Sequence, residues 1–207
     1  MYPKAFWWAG RSSSEEYQKA YDEIIKFIPP CNSLLDVGCG TGELLKRVWL
    51  SKKAKNLFGV DISKELLSAA TSNLKGIPVS LMHGDILEAR IPQSFDCLTF
   101  TFPAIVAPRS LLAEASVVEV SSMLLYRTLH NCGALLKKGG IFVQAEFDAY
   151  DEKPEESARK LYSAVCREHG LSLQKLKFYE NRKITADVDL RKEARHLGYV
   201  IIVSKKL

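Results

Sequence analysis

Three short apolar runs in this chain each carry an aspartate at or just past their end: Ser33-Leu-Leu-Asp36-Val, Leu57-Phe-Gly-Val before Asp61, and Val79-Ser-Leu-Met before Gly84-Asp85. Helical periods follow the first two. One begins near Glu43 with Leu44, Leu45, Val48 and Trp49 on one side, and the other follows Ser63, an N-cap residue, with Leu66, Leu67, Ala70 and Leu74. Short strands separated by helices of ten or so residues are βαβ units, which require a mostly parallel sheet covered on both faces. Such sheets bind ligands beyond the carboxyl ends of their strands, at the point where strand order reverses. The three acids fall there.

The remaining pattern extends the same architecture. Residues 95–101 and 141–145 read as a fourth and a fifth strand, the fifth preceded by the turn Lys137-Lys-Gly-Gly140. An amphipathic helix covers 155–169, and strand-like segments near 171–179 and 198–204 end the sequence. Upstream, Ser12/Glu15 and Ser13/Glu16 both have capping-box spacing. The helix they introduce carries Tyr17, Tyr21, Ile24, Ile25 and Ile28 and stops before Pro29-Pro30. The fold class expected is α/β, a Rossmann-like doubly wound sheet within one domain spanning 1–207.

The bend Asp36-Val-Gly38-Cys39-Gly40-Thr41-Gly42 joins the first strand to its helix. Glycines here permit positive φ and let a ligand approach bare backbone. The dinucleotide fingerprint G-x-G-x-x-G is not met, because the third glycine comes one place early and Glu43 takes its position. A carboxylate in the first helical turn is a poor cradle for pyrophosphate. The phosphate loop G-x-x-x-x-G-K-S/T is absent as well. Asp61, at the end of the next strand, has the spacing of a carboxylate that accepts from a ribose diol. The ligand implied has a ribose, a base and a cationic tail.

These segments resemble the class I S-adenosylmethionine-dependent methyltransferases. The likeness rests on Leu34-Leu-Asp-Val-Gly-Cys-Gly-Thr-Gly42, Phe58-Gly-Val-Asp-Ile-Ser63, His83-Gly-Asp-Ile86, Phe95-Asp-Cys-Leu-Thr-Phe100 and Leu136-Lys-Lys-Gly-Gly-Ile-Phe-Val143. The resemblance implies seven strands with the last antiparallel, formed by the segment from Gly198. It implies S-adenosylmethionine as cofactor and no metal. Asp36, Gly38, Cys39 and Gly40 would line the methionine end. Asp61 would bind the ribose hydroxyls and Ile62 the adenine face, while Asp85 would accept from the adenine amino group and Ile86 supply a backbone contact. Phe100 and Thr101 would meet the methionine tail and the acceptor.

Acceptor choice is less legible. The fourth strand runs into Thr101-Phe102-Pro103, which lacks both the Asp/Asn/Ser-Pro-Pro-aromatic motif of nucleobase amino methylation and the Pro-Cys nucleophile of cytosine carbon methylation. Candidate acceptor contacts are Trp7, Trp8, Tyr17, Tyr21, Phe102 and Glu146, the last grouped with Asp148 and Tyr150 after the fifth strand. Residues 1–29 are expected to form a helical cap or lid, and 103–136 an elaboration shaping the acceptor pocket. Among the histidines, His83 reads as a local hydrogen-bonding residue and none is assigned as a base.

Composition narrows the class of partner. With 47% apolar and 26% charged residues, the chain can build a core. No apolar run reaches the length of a membrane span, and five scattered cysteines without a CxxC pair indicate a reduced, cytoplasmic setting. The net charge is +5, and residues 171–207 hold 9 basic against 4 acidic side chains. That flank keeps structured RNA or protein as the second acceptor class, behind a small molecule. A third reading is a non-catalytic subunit that only binds S-adenosylmethionine.

Overall fold

Alternating apolar runs and amphipathic helices bury both faces of one sheet, and the computed structural model has that organisation. It describes residues 10, 12, 14–88, 91–102, 117–150, 155–180 and 196–207. In chain order the elements are α1 (Glu15–Ile25), β1 (Cys31–Val37), α2 (Glu43–Leu50), β2 (Ala54–Asp61), α3 (Lys64–Asn73), β3 (Val79–His83), β4 (Phe95–Thr101), α4 (Val117–Leu135), β5 (Leu136–Tyr150), α5 (Glu155–Glu168), β6 (Leu171–Glu180) and β7 (His196–Lys206). The seven strands lie in the order β3-β2-β1-β4-β5-β7-β6. The first five are mutually parallel, and β7 runs antiparallel between β5 and β6. Strand order reverses between β1 and β4, so the carboxyl edge there is the expected crevice.

Each face has its own core. Leu34 of β1 joins Tyr17, Ile24 and Ile28 from the N-terminal region, Leu45 of α2 and Ala70 of α3. Its neighbour Leu35 points the other way, toward Leu129 and Cys132 of α4 and Cys166 of α5. Glycine at 59 is needed because a Cβ there would stand 2.8 Å from Cys39 Sγ and 2.9 Å from both Leu45 Cδ1 and Leu81 Cδ2. Among the described residues no helix is long and apolar enough to cross a membrane.

Two local expectations are revised. Ser14, with extended backbone, is the N-cap of α1 and makes no side-chain cap bond. Ser12 turns to Thr41 instead, their hydroxyl oxygens 3.0 Å apart. The turn 137–140 lies inside β5: Phe95 pairs with Leu136 but Cys97 with Ile141, so the extra residues bulge out of the ladder. By contrast, Ser63 caps α3 as expected, its Oγ accepting from Leu66 N–H at 3.2 Å.

Candidate functional site

The bend after β1 turns through positive φ at Gly38, Gly40 and Gly42. Two backbone bonds moor it to the end of β2: the N–H groups of Gly38 and Cys39 donate to Val60 O at 2.7 and 3.1 Å. The two later glycines serve different ends. A Cβ at Gly42 would sit 2.7 Å from Leu74 Cδ1, so this glycine lets α3 close on α2. A Cβ at Gly40 would meet nothing within 4 Å, so the bare backbone there faces open space.

Asp61 organises this region. Its Oδ2 accepts from Gly40 N–H and its Oδ1 from Ser63 N–H, both at 2.8 Å. One carboxylate thereby joins the glycine bend to the N-terminus of α3. Burial raises its pKa above the usual carboxylate range, opposed by the backbone donors of Ser63, Gly40 and Ile62 and by the charge of His83. Each oxygen keeps a lone pair for a further donor.

Asp36 is more extreme. It is 2% exposed, and Thr99 Oγ1 donates to its Oδ1 at 2.7 Å. Burial pushes its carboxyl up to about 7, with the Thr99 bond opposing and the charge of Asp61 reinforcing. The same two acids, after burial itself, push the buried Cys39 thiol far up, so Cys39 is a packing group rather than a nucleophile.

The remaining expected contacts line the same edge. Ile62 is 40% exposed, an apolar side chain beside Asp61. His83 Nε2 lies 3.1 Å from Ile62 O and fixes that turn, the local role expected of it. Asp85 is half-buried and its Oδ1 accepts from Leu87 N–H at 2.9 Å. The Ile86 carbonyl accepts from Asn131 Nδ2 of α4 at 2.9 Å. Phe100 is buried and Thr101 half-buried at the end of β4. A Cβ at Gly38 would touch Phe100 Cε2 at 4.0 Å.

An aromatic group adjoins Asp36. Phe102 holds φ +49°, a left-handed value rare for a bulky residue, while its N–H donates to Ala145 O at 2.7 Å. Its ring packs edge-on against Tyr17, Tyr21 and Tyr199 with centroids 5.2, 6.2 and 5.6 Å away. Burial, then the nearby charge of Asp36, pushes the Tyr21 hydroxyl far up. Tyr17 and Tyr21 are buried, so they stand as wall rather than as mobile contacts. Glu146 is half-buried, with Gln144 Nε2 3.3 Å from its Oε1. Trp7, Trp8 and residues 103–116 of the expected 103–136 elaboration lie outside the described residues, as do the side chains of Asp148 and Tyr150.

Three residues support the site without being expected there: Thr99, Ser63 and Asn131. Ser63 carries a signal in the sequence, since it follows the acid at 61 and caps a helix. Thr99 and Asn131 carry none, because each acts on a residue at least 45 positions away.

Comparison with known proteins identifies the family. The family model described as a methyltransferase domain matches residues 34–140. A Geobacillus sp. protein that bears a methyltransferase name is 32% identical over 129 residues, covering 58% of this chain and 50% of its own length. A malonyl-acyl-carrier-protein O-methyltransferase of Anoxybacillus flavithermus is 26% identical over 106 residues, 50% of this chain and 41% of its own. The chain thus spans about half the length, or less, of these curated relatives. Among solved structures, the N-methyltransferase NodS from Bradyrhizobium japonicum superposes with TM-score 0.63 at 13% identity, covering 94% of this chain and 98% of that one. The likeness to NodS is one of fold.

Proposed function

Because the chain belongs to the methyltransferase-domain family, we propose that it transfers a methyl group from S-adenosylmethionine to an oxygen, nitrogen or carbon of a small-molecule acceptor. The observation that carries the reading is Asp61, held by Gly40 and Ser63 N–H groups beside open space over Gly40. The donor set fits the cofactor. Asp61 keeps lone pairs for a ribose diol, Ile62 offers an apolar face to adenine, and Asp85 with the Ile86 N–H offers an acceptor and a donor to its edge. Asp36 offers a buried carboxylate to the amino group of the methionine part.

When bound, S-adenosylmethionine supplies a methyl carbon already activated by its positive sulfur. The chain's own work is then positioning and the exclusion of water. Gly38 and Gly40 bring bare backbone to the ligand, and the wall of Phe102, Tyr17 and Tyr21 keeps the Asp36 side of the crevice dry. Glu146, next to Ala145 where β5 stops pairing with β4, is the candidate to orient or deprotonate an acceptor.

The aromatic wall supports an apolar small molecule as acceptor. Structured RNA is less well served by the basic flank, since Lys175 and Lys177 lie over the rings of Phe27 and Tyr179 at 4.9 and 4.6 Å. Incubation with methyl-labelled S-adenosylmethionine and a total cell extract tests the reading: label is expected in the low-mass organic fraction. Label confined to precipitated protein or RNA would replace the small-molecule acceptor. Tight binding of S-adenosylhomocysteine without any transfer would leave a binding subunit.

A further inference from the structure

Asp36 and Asp61 form a buried acid pair, and among the described residues no Lys or Arg side chain is paired with either. Asp36 meets Thr99 and Cys97 from β4, Cys39 from the glycine bend, Tyr21 from α1 and Asp61 from β2. Behind Asp61 stands His83, engaged with Ile62 O. On α2, Glu43 and Arg47 bear on Tyr21, and Arg47 is committed to Asp22 and Gln18. Asp61 takes backbone N–H donors on both oxygens, whereas Asp36 takes the single hydroxyl of Thr99. Two like charges in a dry site do not both ionise freely, and the better-hydrogen-bonded one keeps its charge.

We propose that Thr99 is a positioning residue of the cofactor site: its hydroxyl occupies Oδ1 of Asp36, reserves Oδ2 for the ligand's ammonium group, and so couples cofactor binding to release of a proton. This rests on the reading of the crevice as an S-adenosylmethionine site. Before binding, the protonated fraction of Asp36 carries its proton on Oδ2, which lets it lie beside Asp61. When the ammonium arrives, the O–H bond of Asp36 breaks, its electron pair stays on the carboxylate, and the proton leaves to solvent. Thr99 donates throughout, and no other bond changes. Burial holds the Asp36 carboxyl near 7, which places the exchange in the neutral range.

Calorimetry of the full chain with S-adenosylhomocysteine, in buffers of low and high ionisation enthalpy, reads the proton directly. About half a proton released at pH 7, and about one at pH 5, is expected from that titration, the ligand's amino group staying protonated at both. 5′-Methylthioadenosine, the same nucleoside without the amino acid, should bind with heat that does not depend on buffer. Thr99→Val should weaken S-adenosylhomocysteine about ten- to a hundredfold at pH 7, the scale of a hydrogen bond to a charged group. It should leave 5′-methylthioadenosine within about twofold, and Thr99→Ser should restore both. Buffer-independent heat for S-adenosylhomocysteine at pH 7 overturns the proposal, as does a Thr99→Val variant that weakens both ligands equally. Should the valine variant fail to fold, Thr99→Ala read with the same two ligands decides in its place. Absence of heat with either nucleoside at any pH defeats the cofactor reading itself, a distinct result.

Discussion

Asp36 and Asp96 lie on adjacent strands of one sheet, at opposite edges, and the chain treats them oppositely. At the amino edge Asp96 accepts from Ser33 N–H and Ser33 Oγ, both at 2.9 Å, and from Lys137 Nζ at 2.8 Å. The Lys137 ammonium, then Ser33, holds its carboxyl below the ordinary range. At the carboxyl edge Asp36 has one hydroxyl and a second acid for company, and its carboxyl is pushed up to about 7. One acid is completed by its own protein, and the other, on the function proposed above, by a ligand. Desolvation without a counter-charge destabilises the folded chain and is retained where binding repays it.

The largest expected effect lies at the acid that joins both parts of the crevice. Asp61→Ala removes the acceptor for Gly40 and Ser63 N–H as well as the proposed ribose partner, so binding of S-adenosylhomocysteine should weaken by about 3 kcal/mol or more. Thermal unfolding should shift downward in the same variant. Unchanged affinity by calorimetry would remove Asp61 from the site.

Asp36→Asn separates stability from binding. Between roughly pH 4 and 7 the folded chain holds a proton on Asp36 that the unfolded chain has released, so this group's contribution to stability falls as pH rises through that window. The amide cannot ionise. Ligand-free Asp36→Asn should therefore gain on the order of 1–3 kcal/mol over wild type at pH 8 and little at pH 4, measured by denaturant unfolding. Its affinity for S-adenosylhomocysteine should fall by about 2 kcal/mol. A variant less stable than wild type at pH 8 would contradict an uncompensated charge at this edge.

The glycines sharpen the same contrast. Gly42→Ala meets Leu74 and keeps a φ of +81°, so it should cost about 1–3 kcal/mol of stability and leave cofactor affinity nearly intact. Gly40→Val should cost about 1 kcal/mol and block binding, because its side chain fills the open approach. A folded Gly40→Val protein that still binds would misplace the ligand. The smallest effect belongs to the completed acid: Lys137→Ala should change stability by less than about 1 kcal/mol, with binding of S-adenosylhomocysteine untouched, since the pair is substantially solvated.

Much of this is legible in the order of the amino acids. The short apolar run of Ser33–Val37 and the helical period through Leu44, Leu45 and Val48 announce a parallel sheet, and the strand-end acids announce its working edge. Less is legible where distant segments meet. Ser12 has capping-box spacing, yet Thr41 takes its hydroxyl. The Lys137–Gly140 turn becomes a bulge because β4 continues to pair on both sides of it. Position along the chain marks Tyr17, Tyr21 and Phe102 as candidate acceptor contacts, and only the packing of Phe102 on both tyrosines and on Tyr199 makes them one buried cluster.

Local backbone chemistry acts over a few residues, so the chain itself specified the glycine bend, the Ser63 cap, the strand-end carboxylates and hence the family. Charge and burial act across the interior, between atoms brought together from far along the chain. Which acid would be shielded, which left bare, and that Thr99 would reach Asp36 from 63 positions away were settled only by folding. Desolvation is a property of a neighbourhood, and a neighbourhood exists only once the sheet has closed.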